Sequence, residues 1–262
     1  MTNFDRHSMP QRLIEELWDH VDQFVCPITR IAPGDDRQPP GDHHGSGWFI
    51  SRCGKPHLCT CEHVANFEDK GSLGYAPFGG DSGGSVGSRF ARLVHPLDFA
   101  IANVQQTWVM IQHKGKCIPS DMIANTHAPV SGELLYVHGF PGDESNPAFG
   151  QHNVKALGVL AHEVAAPNAL FSEVPPFDPS KHICIGWSTA QAVPLTPSSD
   201  ILSAPGGMSG SALWNTRYRE VTEAGGEWTV SDIRLTAIVW GASSKASVMV
   251  GTAIEHFRGH VV

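Results

Sequence analysis

The chain has 262 residues, enough for one large domain or two closely packed halves; with 27 Gly, 19 Pro and 41% apolar residues it suits a turn-rich globular protein and excludes a disordered or collagen-like one. Its net charge of −8, with no basic block to offset it, argues against general affinity for nucleic acid or an anionic membrane surface. No run approaches the roughly 18 apolar residues of a membrane span.

Met1 to His7 lack the apolar core and small-residue cleavage site of a signal peptide, which points to the cytoplasm. In that compartment the cysteines at 26, 53, 59, 61, 117 and 184 are expected to remain reduced. Cys53, Cys59 and Cys61 with His57 and His63 have some look of zinc ligands, but C-x5-C-x-C-x-H is not a usual structural zinc spacing, and no metal is expected.

Residues 8–24 read as a helix. Ser8 with Gln11 makes a capping box, Pro10 falls in the first turn, and Ile14, Leu17, Val21 and Phe24 recur at helical spacing. This gives an N-terminal helical extension over 1–25. Cys26 to Ile31 is a short β-like run, followed by a polar, Pro-rich loop. From Gly45 onward, short apolar segments alternate with Gly and Pro: Trp48-Phe49-Ile50, Phe99-Ala100-Ile101, Leu134 to Val137, Ile183-Cys184-Ile185 and Leu235 to Val239. Such punctuation predicts a β barrel or sandwich. A second short helix is expected at Ala253 to Arg258. Gly79 to Ser88 reads as an exposed loop, and Gly80-Asp81-Ser82-Gly83-Gly84 within it spells a familiar nucleophile string.

Three further stretches bear on chemistry. Thr60-Cys61-Glu62-His63-Val64 places a histidine after a short strand, and His95-Pro96-Leu97-Asp98-Phe99 puts a carboxylate at the mouth of another. Pro205-Gly206-Gly207-Met208-Ser209-Gly210-Ser211-Ala212 sets a serine between glycines. Alone, that last stretch reads equally as an ordinary Gly-rich turn or as a turn that exposes a hydroxyl and aims two N–H groups at one point. A serine hydroxyl is a weak nucleophile at neutral pH and needs a base, itself oriented by a third group. His63 and Asp98 could supply both.

The order His63, Asp98, Ser209, with G-S-G-W-F-I, T-C-E-H-V, D-F-A-I and G-x-S-G-S-A, resembles the chymotrypsin-like serine endopeptidases, especially bacterial branches that include the glutamyl endopeptidases. Tyr136-Val137-His138-Gly139-Phe140-Pro141-Gly142 is similar to a G-[FY]-P segment of those branches, and Ile238 to Gly241 to the strand beside bound peptide. The resemblance covers roughly residues 25–260. It implies an all-β fold of two packed six-stranded antiparallel barrels, at about 26–125 and 126–250, with an N-terminal helix and a short closing helix at about 252–258. It also implies a Ser209–His63–Asp98 triad and an oxyanion hole from the N–H groups of Gly207 and Ser209. No cofactor is implied, and the partner is a protein or peptide substrate. Ser82 precedes Asp98 in the chain, which leaves no room for the intervening strands, so Ser209 is the expected nucleophile.

Met208 stands where the activated digestive enzymes carry an aspartate that pairs with a new N-terminus, and Val64 where a bracing cysteine is common. Activity without N-terminal processing is therefore expected, although an activating partner is conceivable. By the same resemblance the S1 pocket is expected to have Ser203 and Ala204 at its base. Val239, Trp240, Gly241 and Ala242, with Met249 to Gly251, would form the walls. With no carboxylate there, a small or uncharged P1 side chain is expected. His43, His44, His95 and His138 read as loop or packing residues, and Trp187, Trp214 and Trp240 as core or pocket wall. The competing functional readings are a catalytically silent peptide-binding module of the same fold and a metal-binding regulator built on the Cys/His cluster.

Overall fold

A computed structural model describes residues 9–38, 40–148, 151–195 and 201–262. The first helix, α1, is Gln11–Asp22, and Leu13, Leu17 and Val21, each one helical turn apart, are fully buried. The expected capping box is not its start. Ser8 lies outside the described residues, the N-cap is Pro10 in an extended conformation, and Gln11 bonds forward to Glu15 at 2.7 Å. Proline disfavours helical backbone in the residue before it, which keeps Met9 out of the helix.

The strands fall into two antiparallel sheets. The first contains β1 (Val25–Ile31), β2 (Asp42–Arg52), β3 (Lys55–Thr60), β4 (Ser72–Tyr75), β5 (Gly84–Ser85), β6 (Ala91–Leu93) and β7 (Phe99–Asn103), in the order β5-β4-β1-β2-β3-β7-β6. β8 (Leu135–Gly139) opens the second half, and β9 (Ser145–Ala148) and β10 (Gln151–Val154) make a separate hairpin. β11 (Leu157–Ala161), β12 (His182–Gly186), β13 (Ala192–Pro194), β14 (Ala212–Asn215), β15 (Arg234–Ser243) and β16 (Val248–Ala253) complete it, in the order β12-β16-β15-β14-β8-β11-β13.

The expected all-β architecture of two barrels is present, with seven strands per sheet rather than six. In the second sheet the chain leaving β11 bridges back to β12 through Glu163 and Ile185, with Val164 N–H donating to the Cys184 carbonyl at 2.9 Å. Six strands therefore form a ring, and the three-residue β13 is an addition on β11. The short helices are α2 (Glu62–Ala65), α3 (Gln105–Trp108), α4 (Tyr218–Glu223) and α5 (Arg258–Val261).

The closing helix starts later than expected. Ala253 still pairs with Ala237 in the sheet, a 3-10 turn follows at Ile254–His256, and only then does α5 begin. Here Phe257 stacks on Phe99 of the first sheet at 4.6 Å, so the C-terminus crosses between the halves. At the other end, Trp18 of α1 packs against His138 of β8 at 4.7 Å. No helix among the described residues is long and apolar enough to cross a membrane.

Because α1 contributes fully buried leucines to the larger core cluster, Leu17→Ala should cost about 2–5 kcal/mol of stability, whereas exposed Asp19→Ala should stay within about 0.5 kcal/mol. Urea unfolding of the two variants checks this; equal midpoints would mean that α1 is not part of the cooperative core.

Candidate active site

β3 ends at Thr60, and the chain turns at once into α2, which carries His63. Asp98 sits at the start of β7, only 6% exposed, and accepts two hydrogen bonds from one residue: the His63 backbone N–H at 2.9 Å on Oδ1 and the His63 ring Nδ1–H at 2.6 Å on Oδ2. This double grip sets both the position of the helix turn and the tautomer of the ring, leaving Nε2 as the free nitrogen. Asp98 has φ +46, a left-handed conformation that aspartate tolerates better than most residues.

The turn before Asp98 is held by the opposite sheet. His182 of β12 donates from Nε2 to the Pro96 carbonyl at 2.6 Å, while Thr252 of β16 donates to the Leu97 carbonyl at 2.9 Å. The Asp178 N–H donates to His182 Nδ1 at 2.9 Å, which places the ring proton on Nε2 and keeps the imidazole neutral. Burial lowers the His182 pKa.

Ser209 lies in the loop entering β14, half-buried, between Gly207 (φ +89) and Gly210 (φ +91). A Cβ on Gly210 would collide with the Ser46 carbonyl oxygen and the Thr60 hydroxyl, so this close approach requires glycine. Met208 is fully buried in the core of the second sheet and anchors the loop. The Gly206 carbonyl accepts the Gly142 N–H at 2.6 Å; across a trans peptide this turns the Gly207 N–H away from Gly142. Neither the Gly207 nor the Ser209 N–H has an acceptor among the described residues. The Ser209 hydroxyl donates to the Trp240 carbonyl at 3.2 Å, not to His63. The His63 segment and the serine loop meet across Gly45, whose Cβ would come within 2.9 Å of Val64 and 3.1 Å of the Ser209 carbonyl oxygen.

Two cavities flank this meeting point. The first, about 300 Å³, is bordered by His63, Asp98, His95, Leu170, Phe177 and Trp240. The second, about 240 Å³, lies beside Ser209 against Pro205, Gly206, Val239 and Met249. Gly241 and Ala242 border both. Val239 lines the second cavity and its neighbour Trp240 the first. Ser203 and Ala204, expected at the pocket base, do not line it. The Ser203 carbonyl instead accepts the Trp187 indole N–H at 3.3 Å, and Pro205 to Gly207 with Met249 take their place. Leu170, Glu173 and Phe177 also escaped the sequence reading, because the loop carrying them lies far in the chain from His63 and holds no motif.

Ser82 is exposed and donates to Asp81 at 3.0 Å, with no bond to His63 or Asp98. Of the Cys/His cluster, only Cys61 and His63 come together, with Asp98, their ligand atoms within 4.8 Å of one another. The Cys61 thiol donates to the Val239 carbonyl at 3.2 Å, and burial pushes its pKa up. That opposes the thiolate a metal would require. None of the six cysteines is in a disulfide.

No family model matches the chain, and no curated protein does. Among solved structures it is similar to the active form of the Rv3671c protease from M. tuberculosis, with TM-score 0.51 and 16% identity over 95% of this chain and 85% of that one. A structure of GrC matches with TM-score 0.51 and 12% identity, covering 92% and 93% of the two chains. These likenesses, with the two curled sheets, show a chymotrypsin-like serine-protease fold.

Burial, with Arg30 and His63 nearby, lowers the His44 pKa to about 4. His44 and His182 both bind protons less readily folded than unfolded, so the unfolded chain takes up more protons below about pH 6.5. Their contribution to stability is complete above that value and declines as pH falls towards about 4. The urea midpoint should drop between pH 7 and pH 5, and His44→Gln should flatten the slope; a midpoint constant across that range would contradict the assignment.

Proposed function

We propose that this chain is a serine endopeptidase, related to bacterial branches of the fold, that cleaves protein or peptide substrates through an acyl-enzyme. The observation that carries the reading is Asp98, nearly buried and bonded to both the backbone and the ring of His63, across Gly45 from a serine loop with two N–H groups that have no acceptor among the described residues. Ser209 Oγ attacks the peptide carbonyl while His63 Nε2 takes its proton, and Asp98 stabilises the imidazolium. The N–H groups of Gly207 and Ser209 hold the oxyanion. His63 then gives the proton to the leaving amine, and water, deprotonated by the same nitrogen, releases the acid and restores Ser209.

The loop needs no new N-terminus in this reading. Buried Met208 and the Gly142–Gly206 hydrogen bond supply what an aspartate–amine pair would otherwise provide. α1, with its buried leucines, is a structural part of the enzyme rather than a pro-segment. Among the described residues, none that lines the pocket of about 240 Å³ beside Ser209 is charged, which favours a small or medium uncharged P1 side chain.

A second reading, a catalytically silent peptide-binding module, draws on the Ser209 hydroxyl bonding to Trp240 rather than to His63. Labelling by a fluorophosphonate separates the two. Wild type and Ser82→Ala should label and Ser209→Ala should not, and Asp98→Asn should lower kcat by about 10⁴. Unlabelled wild type would favour the silent module, and loss confined to Ser82→Ala would move the nucleophile. In a peptide-library digest, cleavage should follow uncharged residues; a profile dominated by Arg, Lys or Glu at P1 would refute the pocket assignment.

A further inference from the structure

Resting on the protease reading, we propose that Ser46 is a positioning residue that holds the oxyanion loop in its working shape through the hydroxyl of its side chain. Ser46 lies on β2 of the first sheet, fully buried, yet its N–H and its hydroxyl are both spent on the junction with the second half. Its N–H donates to the Ser209 carbonyl at 2.8 Å, and its hydroxyl donates to the Gly207 carbonyl at 3.0 Å. The Phe140 N–H donates to the same hydroxyl oxygen at 2.9 Å, and the Ser46 carbonyl accepts the Thr60 hydroxyl at 2.8 Å.

A serine hydroxyl has one hydrogen to give. With the Phe140 N–H occupying a lone pair of Oγ, the hydrogen is directed to the Gly207 carbonyl. One residue thus grips the carbonyls of Gly207 and Ser209, the same two residues whose N–H groups point at the nascent oxyanion. Gly206 and Gly207 are adjacent glycines with little intrinsic preference against a peptide flip. The Gly142 bond fixes the peptide before Gly207, and the Ser46 hydroxyl fixes the one after it. Without the hydroxyl, the peptide between Gly207 and Met208 loses its only side-chain partner among the described residues.

Ser46 bonds to none of the three catalytic side chains, so its loss should impair the transition state and spare ground-state binding. In Ser46→Ala, kcat should fall about 10- to 100-fold, below the loss seen when an oxyanion donor is removed outright, with KM changed less than about twofold. Affinity for a peptidyl aldehyde should fall by the same factor as kcat. In that adduct Ser209 Oγ bonds to the aldehyde carbon, the carbonyl π pair becomes the oxyanion, and the serine proton passes to His63. Affinity for the matching alcohol should not change. Ser46→Cys, near in size but a weaker donor, should fall between; it carries the comparison if the alanine variant does not unfold cooperatively. Leu17→Ala, destabilised at a distance from the loop, should keep wild-type kcat and so separates lost stability from lost positioning. A labelled, active wild type whose Ser46 variants keep normal kcat, or lose aldehyde and alcohol affinity equally, overturns this inference alone. A wild type that fails to label overturns the protease reading and this inference together.

Discussion

The structure depends on a seam of main-chain hydrogen bonds where the serine loop of the second half meets β2 of the first. Ser209 O accepts from Ser46 N, while on the other side of the loop Gly210 N donates to Val239 O at 2.8 Å. The loop is thereby stitched to both halves within two residues. Such closeness is possible only because Gly210 presents no Cβ to the Ser46 carbonyl, and Gly45 none to Val64 and the Ser209 carbonyl oxygen. Backbone amides held this way are stiff dipoles, and stiff dipoles are what charge stabilisation requires.

The same reciprocity governs the carboxylate. Asp98 belongs to the first half, but the turn that presents it in a left-handed conformation is gripped by His182 and Thr252 of the second. The second half thus positions the acid, while the first braces the serine. Trp240 adds to this joint, its ring 4.9 Å from His182 and 5.7 Å from His95. A shift of one barrel against the other would disturb both ends of the site at once. The terminal segments oppose such a shift, with α1 on β8 through Trp18 and His138, and Phe257 stacked on Phe99.

The seam also accounts for the two cavities. Between Val239 and Gly241 the pairing of β15 with β16 slips by a residue, and beyond Val239, which still bonds Gly210 and Ser211, the other edge of β15 is no longer covered by backbone of β14 or the loop before it. That uncovered edge runs between the pocket beside Ser209 and the cavity beside His63. Gly241 leaves room for an extended chain to lie along it, since no atom would come within 4 Å of a Cβ there.

Much of the plan was legible in the chain because it rests on local rules. Short apolar runs punctuated by Gly and Pro marked the β architecture, and paired glycines marked the loop at 206–210. The order of His63, Asp98 and Ser209 outweighed the literal nucleophile string at Ser82, which the fold leaves exposed beside Asp81. Other features depend on residues remote in sequence. Pro205 to Gly207, rather than Ser203 and Ala204, border the pocket beside Ser209, and the Ser203 carbonyl accepts the remote Trp187 indole N–H. The helix at Ala253 gave way to strand because Ala237 offers it a sheet partner. The sequence by itself determined which residues could do chemistry, since those depend on side-chain type and on glycines that permit unusual backbone. Only the tertiary structure decided what each faces, as when the buried Ser46 hydroxyl meets the Gly207 carbonyl, since that partnership is made by two sheets packing together and leaves no local trace in either segment.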